Sequence, residues 1–407
     1  MRSTAAGMTA RPDPAVDAAA LAEYVRQGAG VDEVRRARED FLAVHAEAVY
    51  ERLTAGFRRW LRIGELVSAA ARVFPGLVPT EDELAAEEAV PPGSRRGLEI
   101  DQAIFFRAVL SAPRAGRHLI ESMARPTVRA GKLLPGYRET GAVDLESVTV
   151  RRRGPAAEVT LRRPDHLNAE DNGLVADLET AVDLVLLDPA SRVGVLRGCV
   201  MTHPRYAGRR VFSAGIDLKH LAAGRISYPD FLLGREFGCL RKLMHGNGAA
   251  KPWIAAVEGF AIGGGMQLLL VCDHVLLASD AYLSLPAAQE GIVPGVANLR
   301  LSRFTGPRLA RQIILGGRRI EARDPEARLL CDEVVDPARM DEAIDAAVTR
   351  LVGPAVLANR QMLALAEEPV EEFRGYLAEF AYQQALRMNA PDVLGKVTGF
   401  AKKSKRG

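Results

Sequence analysis

Cysteine is scarce, with four in 407 residues: Cys199, Cys239, Cys272 and Cys331. None forms a C-x-x-C pair, which excludes a zinc ribbon, a redox dithiol and a dense disulfide framework, and makes a reducing compartment the simpler expectation. An excess of one charge is missing too. The 54 Lys+Arg against 51 Asp+Glu leave +3, too little for a general polyanion binder, so nucleic acid is not an expected partner. No apolar run approaches the length of a membrane span, and Arg11, Asp13, Asp17 and two prolines interrupt the opening residues before a secretory apolar stretch can form. A cytoplasmic protein without a membrane partner is the expectation. Aromatic residues are only 6%, yet hydrophobic residues reach 48%, ample for a large core.

Several motifs are also absent. There is no G-x-x-x-x-G-K-[ST], and Leu268 stands where a dinucleotide fingerprint on Gly263-Gly-Gly-Met-Gln would need its last glycine. Ser213, in Val-Phe-Ser-Ala-Gly, lacks the first glycine of a nucleophile elbow and reads as structural. His45-Ala-Glu47 has the spacing that opens an iron triad, but on a helix these side chains diverge by about 200°, so no metal site is expected. His45 shares an apolar stripe with Leu42, Val49 and Leu53 and reads as a core histidine.

Helical periodicity runs from about Ala15 to Gly131, cut by Pro75, Pro79, Pro91-Pro92-Gly93 and Pro113. Leu133-Leu-Pro-Gly-Tyr-Arg-Glu-Thr-Gly141 reads as a linker. From Val148 the pattern changes to a hairpin around Gly154-Pro155, then to a helix over Gly173–Leu187 and apolar strands at Val193–Gly198, Trp253–Val257 and His274–Ala278. Strands alternating with helices predict an α/β core. Helical pattern returns after Pro354 and ends in the basic tail Lys402-Lys-Ser-Lys-Arg. The expected domains are 1–140 (helical), 141–353 (core) and 354–407 (helical, with the tail).

Two loops could each present backbone N–H groups to an anion. Phe212-Ser-Ala-Gly-Ile-Asp-Leu-Lys219 turns at Gly215 and offers the Ile216 amide; Ala256-Val-Glu-Gly-Phe-Ala-Ile-Gly-Gly-Gly-Met-Gln267 has three glycines ahead of a helix start. Together they predict an oxyanion site.

These loops resemble those of the crotonase (enoyl-CoA hydratase/isomerase) superfamily. The hairpin, Ser-Ala-Gly-x-Asp-Leu-Lys, the glycine triplet, the strand before Leu285-Pro and Gly291-Ile-Val-Pro-Gly295 follow the family's order over Val148 to Val352. The resemblance implies a ββα spiral core in which the Ile216 and Gly264 amides hold the thioester oxygen of an acyl-CoA and stabilise an enolate. Hydratases place two glutamates around the acyl group; here those positions are Gln267 and Ala287, so hydration is disfavoured.

The long helical extension, Ile216 in the first loop and Gln267 are similar to a cofactor-independent oxygenase branch of the family that serves glycopeptide-antibiotic assembly. That likeness implies an arylacetyl-CoA substrate with O2 as co-substrate, and neither metal nor flavin. It nominates Glu170 and Arg235 for ring hydroxyls, and Ile216, Ile262, Leu268 and Val296 as walls of an apolar oxygen pocket. For CoA it nominates His203, Pro204, Arg205, Tyr206, Ala214, Asp217, Lys219 and the Val293-Pro294-Gly295 main chain, with Phe400 and Lys403 reaching the nucleotide. A homo-oligomer built on trimers is a further implication. The proton-abstracting base is not evident, and an acyl-CoA hydrolase or isomerase, or a non-catalytic acyl-CoA-binding subunit, stays open as an alternative.

Overall fold

The computed structural model describes residues 14–28 and 30–393. Phe400 and Lys403 lie outside the described residues. The chain divides into two compact units at Leu119/Ile120.

The first unit is helical, with helices at Pro14–Arg26, Val31–Leu53, Ile63–Val73, Glu81–Glu88 and Leu98–Ser111. The prolines interrupt as expected, and Thr80 caps the helix behind it through a reciprocal pair with Glu83, whose N–H donates to the Thr80 hydroxyl at 3.2 Å. The Leu42, Val49 and Leu53 stripe is buried. His45 lies on it as a core histidine, its Nε2 2.6 Å from Asp17 Oδ2. Buried Arg38 is neutralised by Asp101 at 3.0 Å, which Arg35 also reaches.

The second unit is α/β. Its strands are β1 Ala142–Asp144, β2 Val148–Arg153, β3 Ala156–Leu161, β4 Val193–Gly198, β5 Trp253–Val257, β6 Phe260–Ile262, β7 His274–Ala278, β8 Tyr282–Ser284, β9 Ile320–Glu321 and β10 Glu333–Val335. A seven-stranded sheet runs β1-β2-β3-β4-β5-β7-β10, and a three-stranded sheet runs β6-β8-β9. The hairpin β2–β3 is antiparallel, with Val150 opposite Val159, whereas β3, β4, β5, β7 and β10 are parallel. Every residue of β4 and β5 is buried, as parallel strands covered on both faces require. The hairpin alternates instead, leaving Arg153 at the wet end.

One expectation is overturned. The supposed linker is most of a helix, Val128–Thr140, with Pro135 inside it. Leu-Pro-Gly carries a breaker's signature, but Thr127 caps the helix, Gly141 (φ 68°) ends it, and buried Ala130 and Tyr137 anchor it on the core. Packing outweighs the local cost of the proline. Beyond the sheet, helices Pro354–Glu367 and Val370–Met388 complete the described chain.

Candidate active site

The sequence between β4 and the helix at Leu218–Ala222 is pinned from both sides by single β-bridges. Ser213 bridges Ala261 of β6, and Ile216 bridges Glu170. In the second bridge Glu170 N–H donates to the Gly215 carbonyl at 2.7 Å and Asp217 N–H donates to the Glu170 carbonyl at 2.8 Å. Strand geometry then turns the Ile216 N–H away from Glu170. Gly215 adopts φ 78°, and a Cβ on it would stand 2.7 Å from the Ile262 carbonyl oxygen and 3.1 Å from the Gly264 nitrogen. The two glycine-bearing loops therefore touch backbone to backbone. Gly263 supplies the second positive φ, 54°, from which the helix Gly264–Leu269 starts. Among the described residues neither the Ile216 nor the Gly264 N–H meets an acceptor. Ser213 is structural, its hydroxyl donating to the Asn168 carbonyl and accepting from Gly215 N–H.

Ile216 and Gly264 both line one cavity. Of the residues nominated from sequence, Glu170, Ala214, Ile216, Arg235, Ile262, Gly264, Gln267, Val293, Pro294 and Gly295 line it. Leu268 and Val296 are not among its lining residues; both are fully buried, Leu268 within the main hydrophobic core. Buried apolar residues in the core and in a cavity wall read alike in sequence.

The polar end of the cavity is a buried ion network. Arg235 Nε donates to Glu170 Oε2 at 2.6 Å, its NH1 to Gln267 Oε1 at 2.8 Å, and its NH2 to the Gly264 carbonyl at 2.7 Å. Glu170 and Arg235 thus face each other, and Gln267 is held as an acceptor. Burial works against the Arg235 charge, but Glu170 and Glu236 outweigh it and hold the guanidinium above its ordinary pKa. The network continues through Glu236, 3.5 Å from Arg300, to Glu368, which takes Arg300 Nε at 2.7 Å. Burial raises the Glu236 pKa against the pull of Arg300 and Arg235. Glu368 ends near 2, because Arg300 and His245 overcome its burial.

Arg235 lies between two π-helical turns, Tyr228–Leu233 and Glu236–Leu240, and Glu236 opens the second. These widen the helix and let adjacent residues both reach inward. Sequence reading missed Glu236, Arg300 and Glu368, since an Arg-Glu pair on helical sequence looks like a surface pair. It also missed Glu290 and Gln384, which line the cavity. Gln384 fixes one wall by accepting from Val293 N–H at 2.9 Å.

The remaining nominees lie elsewhere. His203 precedes the short turn Pro204–Tyr206, with Arg205 over the Tyr206 ring at 5.5 Å and Tyr206 packed on Phe260. Lys219 is exposed. Asp217 caps its helix by accepting from Lys219 and His220 N–H groups and lies 3.4 Å from Arg163, so its carboxylate is committed within the protein. Ligand-type atoms of Asp171, Asp217 and His220 do converge within 4.8 Å, an arrangement the sequence spacing did not anticipate. Arg163 lies against both carboxylates, 3.0 Å from Asp171, and already supplies their positive charge. Among the described residues no helix is long and apolar enough to cross a membrane.

A parallel-stranded core whose two glycine loops line one cavity, with the Ile216 and Gly264 amides unpaired among the described residues, defines a class of protein. The model for the enoyl-CoA hydratase/isomerase family matches residues 152–384, and the chain belongs to that crotonase family. It is 58% identical over 397 residues to the (3,5-dihydroxyphenyl)acetyl-CoA 1,2-dioxygenase of Amycolatopsis orientalis, covering 95% of this chain and 92% of that one. Carnitinyl-CoA dehydratase of Salmonella typhi is 33% identical over 57% of the chain. The structure of an enoyl-CoA hydratase/isomerase from Mycobacterium paratuberculosis superposes with a TM-score of 0.53 at 27% identity, covering 63% of this chain and all of that one. The long relative thus spans the helical extension, whereas the shorter ones share only the core.

Proposed function

We propose that the chain is an arylacetyl-CoA dioxygenase that converts (3,5-dihydroxyphenyl)acetyl-CoA and O2 to 3,5-dihydroxyphenylglyoxylate and free CoA. The observation that carries this reading is the cavity itself. Two free amides meet Gln267 and Ala287 where a hydratase needs carboxylates, and the 58% identity to a dioxygenase extends across 95% of the chain. An amide and a methyl group cannot add water to a double bond.

The thioester oxygen sits between the Ile216 and Gly264 N–H groups, which stabilise the charge that develops when an α-proton leaves. Fixed donors of this kind need no reorganisation, and losing one typically costs about 3 kcal/mol of barrier. The resulting enolate is electron-rich and reduces O2 held against Ile216 and Ile262. The peroxide formed on Cα attacks the thioester carbonyl and expels CoA as thiolate. Loss of the second α-hydrogen with O–O cleavage then gives the 2-oxo acid. The reaction balances as ArCH2C(O)SCoA + O2 → ArC(O)COOH + HSCoA.

The enolate supplies the electrons, so the scheme calls for neither metal nor flavin. Ring hydroxyls bond to the outer lone pairs and protons of the Glu170–Arg235–Gln267 group. His203, Pro204, Arg205, Tyr206, Lys219, Phe400 and Lys403 serve the CoA moiety, with Ala214 and the Val293–Gly295 main chain beside the pantetheine. The working form is a homo-oligomer built on trimers. Exposed Met362, Leu363 and Leu365, on the helix Pro354–Glu367, support a buried face there. The protein works in the cytoplasm, in keeping with its four unpaired cysteines.

Isotope labelling tests the reading. Under 18O2 the arylglyoxylate should carry two labelled oxygens, one in the ketone and one in the carboxylate. Unlabelled arylacetate and thiol released at the same rate without O2 would instead make the protein a hydrolase.

A further inference from the structure

Enolate formation needs a base, and the cavity narrows the choice to one group. Among the described residues three carboxylates line it: Glu170, Glu236 and Glu290. Glu170 is locked to Arg235, 2.6 Å from its Nε. Glu236 lies between Arg235 at 3.4 Å and Arg300 at 3.5 Å. A carboxylate held by a guanidinium gives up much of its proton affinity.

Glu290 is different. Among the described residues its carboxylate meets no hydrogen-bond donor and no cation, although it is partly buried. It closes the short helix Ala287–Glu290, and Ala287, three residues earlier, lines the same cavity. Positions i and i+3 share a helix face, so Glu290 is presented one turn beyond the position where hydratases carry a glutamate and this chain has only Ala287. Its segment is also fixed. The Gly291 carbonyl accepts from Arg387 Nε at 2.6 Å, while the Arg387 NH2 is engaged by Asp392 at 2.5 Å.

We propose that Glu290 is the catalytic base that takes the α-proton of the acyl-CoA, a role that rests on the dioxygenase reading. The carboxylate accepts H+ from Cα, the C–H electron pair enters the enolate, and the Ile216 and Gly264 amides hold the resulting oxyanion. Burial alone pushes the Glu290 pKa up to about 7. A general base works best with its pKa near the operating pH.

The test is Glu290→Gln, which keeps shape and removes basicity, with Glu290→Asp as the conservative partner. Exchange of the α-hydrogens of the arylacetyl-CoA in D2O without O2 is followed by NMR, beside O2 consumption in air and binding of the CoA ester. Glu290→Gln should slow both exchange and O2 consumption at least about 100-fold with binding within about threefold, and Glu290→Asp should recover part of each. Wild-type exchange and O2 consumption in folded Glu290→Gln would overturn the assignment and leave the dioxygenase reading standing. Exchange that depends on Glu290 in a wild-type protein that consumes no O2 would keep the base and reject the dioxygenase.

Discussion

Replacing Arg235 with methionine strands a buried carboxylate. Glu170 has 1% side-chain exposure, and among the described residues Arg235 is the one cation that reaches it, by hydrogen bonds of 2.6 and 3.3 Å. Removing one partner of such a pair typically costs 3–5 kcal/mol, because the other charge remains in a poor dielectric. Arg235 also holds Gln267 and the Gly264 carbonyl, so about 4 kcal/mol is expected for Arg235→Met. Adding Glu170→Gln removes the orphaned charge and should return roughly 2 kcal/mol or more. The assay is urea unfolding read by tryptophan fluorescence. Trp253 is fully buried in β5, and the only other tryptophan is Trp60 in the helical unit, so a Trp60→Phe background isolates the α/β unit. The midpoint should fall in Arg235→Met and rise again in the double variant at unchanged slope. Simple additivity, with the double variant less stable than Arg235→Met by the full cost of Glu170→Gln alone, would refute the argument.

Other expectations follow from the same site. Gly264→Ala puts a Cβ 2.6 Å from Glu170 Oε1, so the loop must shift its amide; turnover should fall about 100-fold or more while CoA-ester binding changes far less, as steady-state rates and calorimetry would show. Gln267→Ala frees one Arg235 N–H and should slow O2 consumption about tenfold or more with an unchanged circular dichroism spectrum. Glu368 is held near 2 against an ordinary 4.5, so its folded-state pKa is depressed and its contribution is present above pH 4.5. That contribution is lost as pH falls from about 4.5 toward 2. The drop is worth roughly 3 kcal/mol, at about 1.4 kcal/mol per tenfold change in proton affinity. Urea midpoints measured across pH 6 to 3 should fall in the wild type and fall less steeply in Glu368→Gln.

What sequence disclosed depended on how far apart the partners lie along the chain. The Ile216 and Gly264 loops were legible because close backbone approach forces glycine at 215 and 263 to 265, a local signature. The parallel core was legible because strands buried on both faces are continuously apolar, as β4 and β5 are. Glu170 and Arg235 could each be nominated, but their pairing joins residues 65 apart, and the chain onward from Glu236 to Arg300 and Glu368 spans 64 and 68 more. Nothing in a local pattern records such contacts. The helix Val128–Thr140 was hidden for the opposite reason, since Pro135-Gly136 is a strong local signal that the burial of Tyr137 overrides. Glu290 was invisible because what sets it apart is a missing partner, which only a folded cavity can display.

The most direct measurement is dissolved-oxygen consumption by chelator-treated, colourless protein on adding (3,5-dihydroxyphenyl)acetyl-CoA, with free thiol and arylglyoxylate followed together. An enolate that is its own reductant predicts one O2 consumed for each CoA and each arylglyoxylate released, at a rate unchanged by chelation. Thiol release without oxygen consumption, or turnover restored only by added metal or flavin, would contradict it.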